Sequence, residues 1–495
     1  MNVSVILNIL GTVLCCEGIF MLAPLLVAAI YGEQAGFFYA VVAAACFLTG
    51  AVLRFTRPKT GVFYSREGFV AVTFSWIILS MAGALPMFLT GEYPSYIDAV
   101  FDTISGFTTT GASVLSSVEE LSRATAFWRC FTHWSGGMGV LVFLMAVLPL
   151  SGSSNLHLMR AESPGPSVGK LVPKVRQTAI ILYKIYIIIT LTQVAALMLA
   201  GLPLYDSLAL SFSTVGTGGF ALLNSSIASY NIAVQIIIII FMLVCAINFN
   251  TYYLIKIRRF KEAFIQNSEA GFFLLIVSAS AVLIAFNIKD GFSGFPQAFH
   301  TAMFQVATLV SSTGFATADF NLWPEFSKTI LVLLMFMGAC AGSTGGGFKV
   351  SRLMIVAGAV KNELLNMIHP RSVQKVNMNG RRVPDHIVNT ALCYMTVYVF
   401  VVLISVLLVS LDNFDMTTNF TAVLATLNNI GPGLNAVGPT GNFGGFSVLS
   451  KIVLMFDMLV GRLELFPVLT LFSPWMWRLP ARRSRKEFQK MDEFE

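Results

Sequence analysis

The sequence predicts an all-α polytopic membrane protein: a two-helix leader, then four helix/re-entrant P-loop/helix repeats around one central pore. Three observations lead there. Hydrophobic residues make up 56% of the 495 and charged residues only 12%, a balance foreign to soluble proteins. Ten segments approach the ~20 mostly apolar residues that cross a bilayer, near 4–30, 36–53, 68–90, 126–150, 178–201, 231–255, 271–288, 328–357, 388–411 and 449–472. Four uncharged, glycine-bearing loops lie between paired segments, each preceded by a helix-like run too short to span.

Residues 1–60 hold the leader. Its first segment lacks a basic n-region and a small-residue cleavage pattern, so it reads as mature structure and not as a signal peptide. Residues 61–165, 166–262, 263–375 and 376–478 form the repeats, the third containing a glycine-rich intramembrane loop, and 479–495 form a basic tail.

The four loops read Thr109-Thr110-Gly111-Ala112, Thr217-Gly218-Gly219-Phe220, Ser312-Thr313-Gly314-Phe315 and Asn429-Ile430-Gly431-Pro432. Their glycines are spaced by 108, 95 and 117 residues, a repeat of whole structural units. The position 13 residues upstream is Asp98, Asp206, Thr301 and Thr418, each expected to open a short helix. Thr214-Val215-Gly216 offers a competing register in the second loop; Gly219-Phe220-Ala221 matches Gly314-Phe315-Ala316 and keeps the offset. Irregular backbone at membrane depth survives only where protein or water surrounds it, and four loops around one axis meet that condition together. Their carbonyls can replace the water around a dehydrated cation. Glycine permits the backbone angles that turn carbonyls inward and leaves the conduit open. Threonine, serine and asparagine add neutral oxygens without a fixed charge that would trap the ion.

Lysine and arginine cluster on one side, which predicts a cytoplasmic face. Arg54, Arg57, Lys59 and Arg66, then Arg160, Lys170, Lys174 and Arg176, then Lys256, Arg258, Arg259 and Lys261 share it with the link from Lys349 to Arg382 and the tail from Arg478 to Lys490. The tail suits anionic lipid or an acidic cytosolic partner. The loop side carries Glu92, Asp98, Asp102, Glu119, Glu120, Asp206, Asp290, Asp319, Glu325, Asp412 and Asp415 against few cations, predicting an acidic outer vestibule.

These residues resemble the Trk/Ktr/HKT potassium transporter superfamily, in particular its bacterial Trk-type membrane subunits (the TrkH/KtrB family), over essentially the whole chain. The resemblance rests on Gly106 to Ser113, Phe212-Ser213-Thr214-Val215 leading to Gly218-Gly219-Phe220, Ser311 to Phe315, Asn428 to Gly433, and Gly461-Arg462-Leu463-Glu464. It implies K⁺ as the transported ion, a filter of Thr109, Thr110, Gly111, Thr217, Gly218, Gly219, Ser312, Thr313, Gly314, Asn429, Ile430 and Gly431, a homodimer, and a cytosolic nucleotide-binding (NAD/ATP type) regulatory subunit at the cell inner membrane. In some plant relatives, serine at the first glycine accompanies sodium permeation; glycine at all four positions here favours potassium.

Gly338-Ala339-Cys340-Ala341-Gly342-Ser343-Thr344-Gly345-Gly346-Gly347 interrupts an apolar span. Each glycine costs helix up to ~1 kcal/mol, so a broken helix is expected. The Gly342 to Gly347 spacing fits a phosphate loop, but Phe348 replaces the required lysine and no strand precedes. The family resemblance makes Gly338, Gly342, Ser343, Thr344, Gly345, Gly346 and Gly347 a gate, held shut by Arg462. An arginine at mid-span costs roughly 2.5–3.5 kcal/mol by translocon scales, so Asp457, Glu464 or carbonyls of the glycine loop must compensate. Glu17 and Lys184 also lie within spans; neither is assigned a transport role, and Lys184 can snorkel to the inner interface.

The seven cysteines read as buried small hydrophobes and the five histidines form no cluster. No covalently bound cofactor, nucleic-acid partner or enzymatic constellation is expected. The alternatives are an H⁺- or Na⁺-coupled potassium symporter and a less selective K⁺/Na⁺ transporter.

Overall fold

The computed structural model describes residues 3–55, 65–139, 175–261, 263, 267–371 and 374–477. Helices α1 (Val3–Phe20) and α2 (Leu22–Tyr31) continue one another as a 29-residue span. Gly32, at φ 69°, turns the chain before α3 (Ala35–Arg54), which packs back along α1. A Cβ at Gly11 would stand 2.7 Å from the Gly50 carbonyl oxygen, so small residues set how closely this pair approaches.

Each repeat opens with a long apolar helix: α4 (Ser65–Leu89), α7 (Val175–Leu199), α11 (Ser268–Ile288) and α15 (Asp385–Val409). These four and the two leader spans are the six described segments long and apolar enough to cross a bilayer.

A short helix follows in every repeat: α5 (Tyr96–Phe107), α8 (Leu204–Val215), α12 (Phe295–Val310) and α16 (Met416–Leu427). At ~1.5 Å per residue none spans ~30 Å of hydrocarbon. Local chemistry starts them. Ser95 accepts from the Asp98 amide at 3.2 Å and Asp415 from the Thr418 amide at 3.0 Å, satisfying donors the first turn leaves open. Asp98, Asp206 and Thr418 thus lie in first turns as the offset predicts. Thr301 does not, because Pro296 in the first turn of α12 starts that helix earlier.

The closing segments correct the expectation of ten continuous spans. The sequence marks only 328–357 as interrupted, yet among the described residues the second, third and fourth closers all break and the helix of the first ends at Gly137. Helix α6 (Arg123–Gly137) stops before Gly139 at φ 80°. Helices α9 (Ile232–Ala246) and α10 (Phe249–Lys256) meet at 90°. Helix α13 (Glu325–Met337) ends at Gly338 and α14 (Val350–Ile368) resumes after the glycine loop. Helix α17 (Val448–Leu463) turns at Glu464, φ 70°, into α18 (Leu465–Leu469). The missed breaks come from Asn248, which caps α10 through its side chain, and from the strained Glu464. Residues 140–150 of the 126–150 segment lie outside the described residues.

Between α14 and α15 a two-residue hairpin, β1 (Asn377–Met378) with β2 (Arg381–Arg382), pairs antiparallel across Asn379-Gly380. The chain ends its described course in α19 (Pro474–Trp477).

The units close into a cycle. Closing helix α6 packs on α8, α9 on α12, α13 on α16, and α17 back on α5. The last contact includes a buried ion pair, Lys451 Nζ to Asp98 Oδ1 at 2.6 Å. Arg57, Lys59, Arg160, Lys170, Lys174 and the Arg478 to Lys490 tail, which carry much of the charge asymmetry, lie outside the described residues.

Candidate ion-conduction site

Each short helix ends in the same turn. The amides of Thr109, Thr217, Ser312 and Asn429 bond carbonyls three residues back, at 3.0, 3.0, 3.1 and 3.1 Å. The next amides, of Thr110, Gly218, Thr313 and Ile430, reach five residues back, each at 2.8 Å. This is a Schellman closure, whose left-handed residue is ordinarily glycine. Here it is Thr109, Thr217, Ser312 and Asn429, at φ 56°, 58°, 57° and 53°. A side chain in that region costs roughly 1–2 kcal/mol, strain of the kind stored at functional sites. Two residues on, Gly111, Gly219, Gly314 and Gly431 repeat the inversion at φ 80°, 83°, 87° and 94°. The backbone therefore fixes the second-loop register on Gly219, and Gly216 belongs to the helix cap.

The glycines form a ring in chain order. A Cβ on Gly111 would overlap the carbonyl of Gly218, one on Gly219 that of Thr313, and one on Gly314 that of Ile430. One on Gly431 would stand 2.7 Å from the Thr110 carbonyl oxygen, completing the cycle. All four helix C-termini lead into this ring, placing about half a negative elementary charge at each end.

Outside the ring lies a cavity of about 240 Å³ lined by the four glycines, Ser113, Arg129, Asn224 and the Gly438 to Phe443 segment. No carboxylate is among its lining residues, but Glu119 accepts from the Asn224 amide at 2.9 Å and Asp319 from the Thr440 hydroxyl at 3.4 Å at its rim. Three acids of the loop flanks hold the fold together. Asp102 pairs with Arg129 at 2.9 Å and takes the Val114 amide at 3.0 Å; Asp98 pairs with Lys451; Asp415 caps α16.

Beneath the ring, the Gly338 to Gly347 segment presses against the loops. Ser312 Oγ accepts from the Gly346 amide at 2.6 Å, and a Cβ at Gly346 would meet Asn429 Cβ at 2.9 Å. The segment is anchored to the second repeat by Phe249 N to Gly342 O at 3.0 Å and Cys340 N to Ala246 O at 3.1 Å. Glu269, at the start of α11, takes the amides of Ala341 at 2.7 Å and Ser351 at 3.1 Å.

Arg462 crosses this level. It donates to the carbonyls of Thr344 at 2.7 Å, Gly136 at 2.5 Å and Gly137 at 2.6 Å, and to Thr109 Oγ1 at 3.4 Å. One guanidinium thus joins the glycine segment, the end of α6 and the first loop. Of the acids considered as its partners, Glu464 pairs with Arg352 and Asp457 accepts from Ser405 Oγ at 2.8 Å. Lys349 and Arg352, read from sequence as part of a cytoplasmic link, are 1% and 6% exposed. Lys349 donates to the Gly345 carbonyl, and the Arg352 guanidinium lies 3.9 Å over the Tyr394 ring.

A family model described as TrkH, cation transport protein, matches residues 36–478. The chain belongs to the TrkH family. It is 35% identical to the Trk system potassium uptake protein TrkH of Salmonella typhimurium, over 97% of this chain and 100% of that one, and 34% identical to its Escherichia coli counterpart over the same shares. The crystal structure of the potassium transporter TrkH from Vibrio parahaemolyticus superposes with a TM-score of 0.87 at 31% identity, covering 97% of this chain and 100% of that one. This TrkH-family chain is accordingly an integral membrane protein.

The four loops named from the TrkH-like motifs meet at one ring through their glycines and the Thr110, Gly218, Thr313 and Ile430 carbonyls; of the glycine segment, Gly345 and Gly346 reach the loops and Thr344 reaches Arg462, while Gly342 packs on Asn248. Sequence reasoning missed the strained Thr109, Thr217, Ser312 and Asn429 backbones, the Glu269 amide cap and the Arg352–Glu464 pair. Charged residues bordering a glycine run were the available signal for Lys349 and Arg352; Glu269, 69 residues before that run, had none. Nothing local announces a left-handed threonine. Among the cysteines, Cys393 departs from the expected burial and is exposed.

Proposed function

We propose that the chain mediates potassium uptake through the glycine ring, which acts as a selectivity filter, with channel-like flux. The observation that carries this reading is the cyclic order of four inverted glycines, each facing the preceding carbonyl of its neighbour. A dehydrated cation at such a ring exchanges water oxygens for backbone oxygens, and the four helix ends favour positive charge. The relatives named as potassium uptake proteins agree with that cargo.

The Gly338 to Gly347 segment and Arg462 form the gate in this proposal. The segment's contact with Ser312 and Asn429 supports a barrier directly under the filter, and Arg462 ties that barrier to α6. A homodimer in the cell inner membrane, basic loops and C-terminus cytoplasmic, and control by a cytosolic nucleotide-binding subunit complete the proposal.

The test is radioactive rubidium uptake into K⁺-loaded liposomes holding the purified protein, with external Na⁺ or K⁺ as competitor. Suppression by K⁺ and not by Na⁺ is expected. Equal suppression by both ions would overturn the filter.

A further inference from the structure

The residue before the ring glycine is threonine in the first and third loops, glycine in the second and isoleucine in the fourth, and the packing behind it varies accordingly. Thr110 Oγ1 pairs with Thr108 Oγ1 at 2.8 Å, and Thr313 Oγ1 with Ser311 Oγ at 2.7 Å. These hydroxyl pairs brace the first and third loops from behind. Ile430 is fully buried within an apolar cluster that includes Leu424 and Leu434, so the fourth loop is backed by hydrocarbon.

The second loop has nothing of its own to offer. Its two equivalent positions are Gly216 and Gly218. The space that a side chain at Gly218 would take is filled by the imidazole of His133, on α6 of the preceding repeat: its Nδ1, Cε1 and Cγ are the nearest atoms to a Cβ built there. The His133 carbonyl in turn occupies the position of a Cβ at Gly216. One residue backs both glycines, with its ring above and its main chain below.

His133 is wholly buried, and among the described residues neither ring nitrogen has a hydrogen-bond partner. Buried polar groups are nearly always satisfied, so an unpaired imidazole needs a reason. Its geometry supplies one. The ring stands edge-on to Phe220, centroids 4.3 Å apart, and Phe220 follows the ring glycine of the same loop. Phe220 is also contacted by the Arg129 guanidinium, 4.0 Å from its ring centroid and itself paired with Asp102. The imidazole therefore touches the second loop on both sides of Gly219, at Gly218 and at Phe220.

We infer that His133 is a positioning residue for the second filter loop: its imidazole serves as the side chain that Gly218 lacks and sets how far the Thr217 and Gly218 carbonyls stand from the axis. This rests on the filter reading above. A binding site must be held within about 0.5 Å by the groups behind it, and a loop with glycine at both bracing positions cannot hold itself.

The experiment measures K⁺ over Na⁺ preference of the reconstituted full chain by rubidium uptake under competition. His133→Ala is expected to lower the preference about tenfold while uptake continues. Adding Gly218→Ser places a side chain in the vacated space, and Gly218 has no left-handed angle to forbid it. The double variant is expected to recover most of the preference. A His133→Ala protein that transports with unchanged preference overturns the inference, as does a double variant that folds and stays unselective. Should the single variant fail to fold, recovery of fold and selectivity in the double supports the backing role, and failure of both overturns it. Absence of any K⁺ preference in the unaltered chain would sink the filter itself and leave His133 a packing residue.

Discussion

The glycine ring and the level of helix breaks beneath it descend from the same four repeats, but only the ring has stayed alike. Above, four loops share two inverted residues and two hydrogen bonds with nearly equal lengths and angles. Below, one closer ends at glycines, one bends at Asn248, one becomes a long glycine segment, and one turns at Glu464. A spherical ion reads oxygens from all sides, so a filter is as good as its least regular member. A barrier needs a single obstruction, and in the proposed gate Arg462 with one glycine segment would provide it, leaving the other breaks free to differ.

The comparison can be broken at its seam, at the ring, or at the barrier. The largest effect is expected at the seam. Lys451→Ala strands the Asp98 carboxylate in a buried site and should cost about 3–5 kcal/mol in stability, read as a fall in unfolding temperature in detergent. The pair Lys451→Met with Asp98→Asn should recover most of it, and a single variant as stable as the parent would remove the seam from the fold's essentials.

At the ring, Gly111→Ser and Gly219→Ser should each relax K⁺ over Na⁺ discrimination by at least about tenfold, since both force a side chain into a neighbouring carbonyl and an inverted angle. Equivalence predicts similar losses from the two. Unequal losses would show that matching backbones do not share the work equally.

At the barrier, Arg462→Ala frees the Thr344, Gly136 and Gly137 carbonyls and should raise basal rubidium flux several-fold. A folded variant with lower flux would contradict the closing role. Alanine at Asn248, in the neighbouring break, should change flux less than Arg462→Ala because it caps a helix and carries no charge.

The smallest effect is expected at Asp415, outside the spans. The Thr418 hydroxyl and amide hold its carboxyl below the usual range. A lowered native value stabilises above the unfolded value and is lost as pH falls through the native one. Asp415→Ala should therefore cost about 1 kcal/mol near neutral pH and nothing in acid.

The sequence exposed what periodicity and glycine placement encode. Loop register, the short helices and the broken third closer were all legible, because each depends on a few adjacent residues. The other breaks were not: the 231–255 segment is strongly apolar, and one asparagine cap inside it overrides hydropathy only when Gly342 stands ready to accept from Phe249. The ion pairs of the outer acids were hidden for a related reason. Counting carboxylates on one side ignores that Asp98 and Asp102 have cationic partners 353 and 27 residues away in the chain. The burial of Lys349 and Arg352 was hidden in the same way, since their partners, the Gly345 carbonyl for one and Glu464 and Tyr394 for the other, are set by the fold.

The bond between Lys451 and Asp98 also sets an order of events for the ribosome. A ring whose first and last members belong to opposite ends of one polypeptide stays open until nearly the whole chain has been translated. Through most of synthesis, three repeats sit in the bilayer as an arc whose flank at α5 faces lipid, its carboxylate awaiting a lysine not yet made. A product truncated before the last repeat therefore lacks both Lys451 and the fourth member of the ring, and cannot close the cycle.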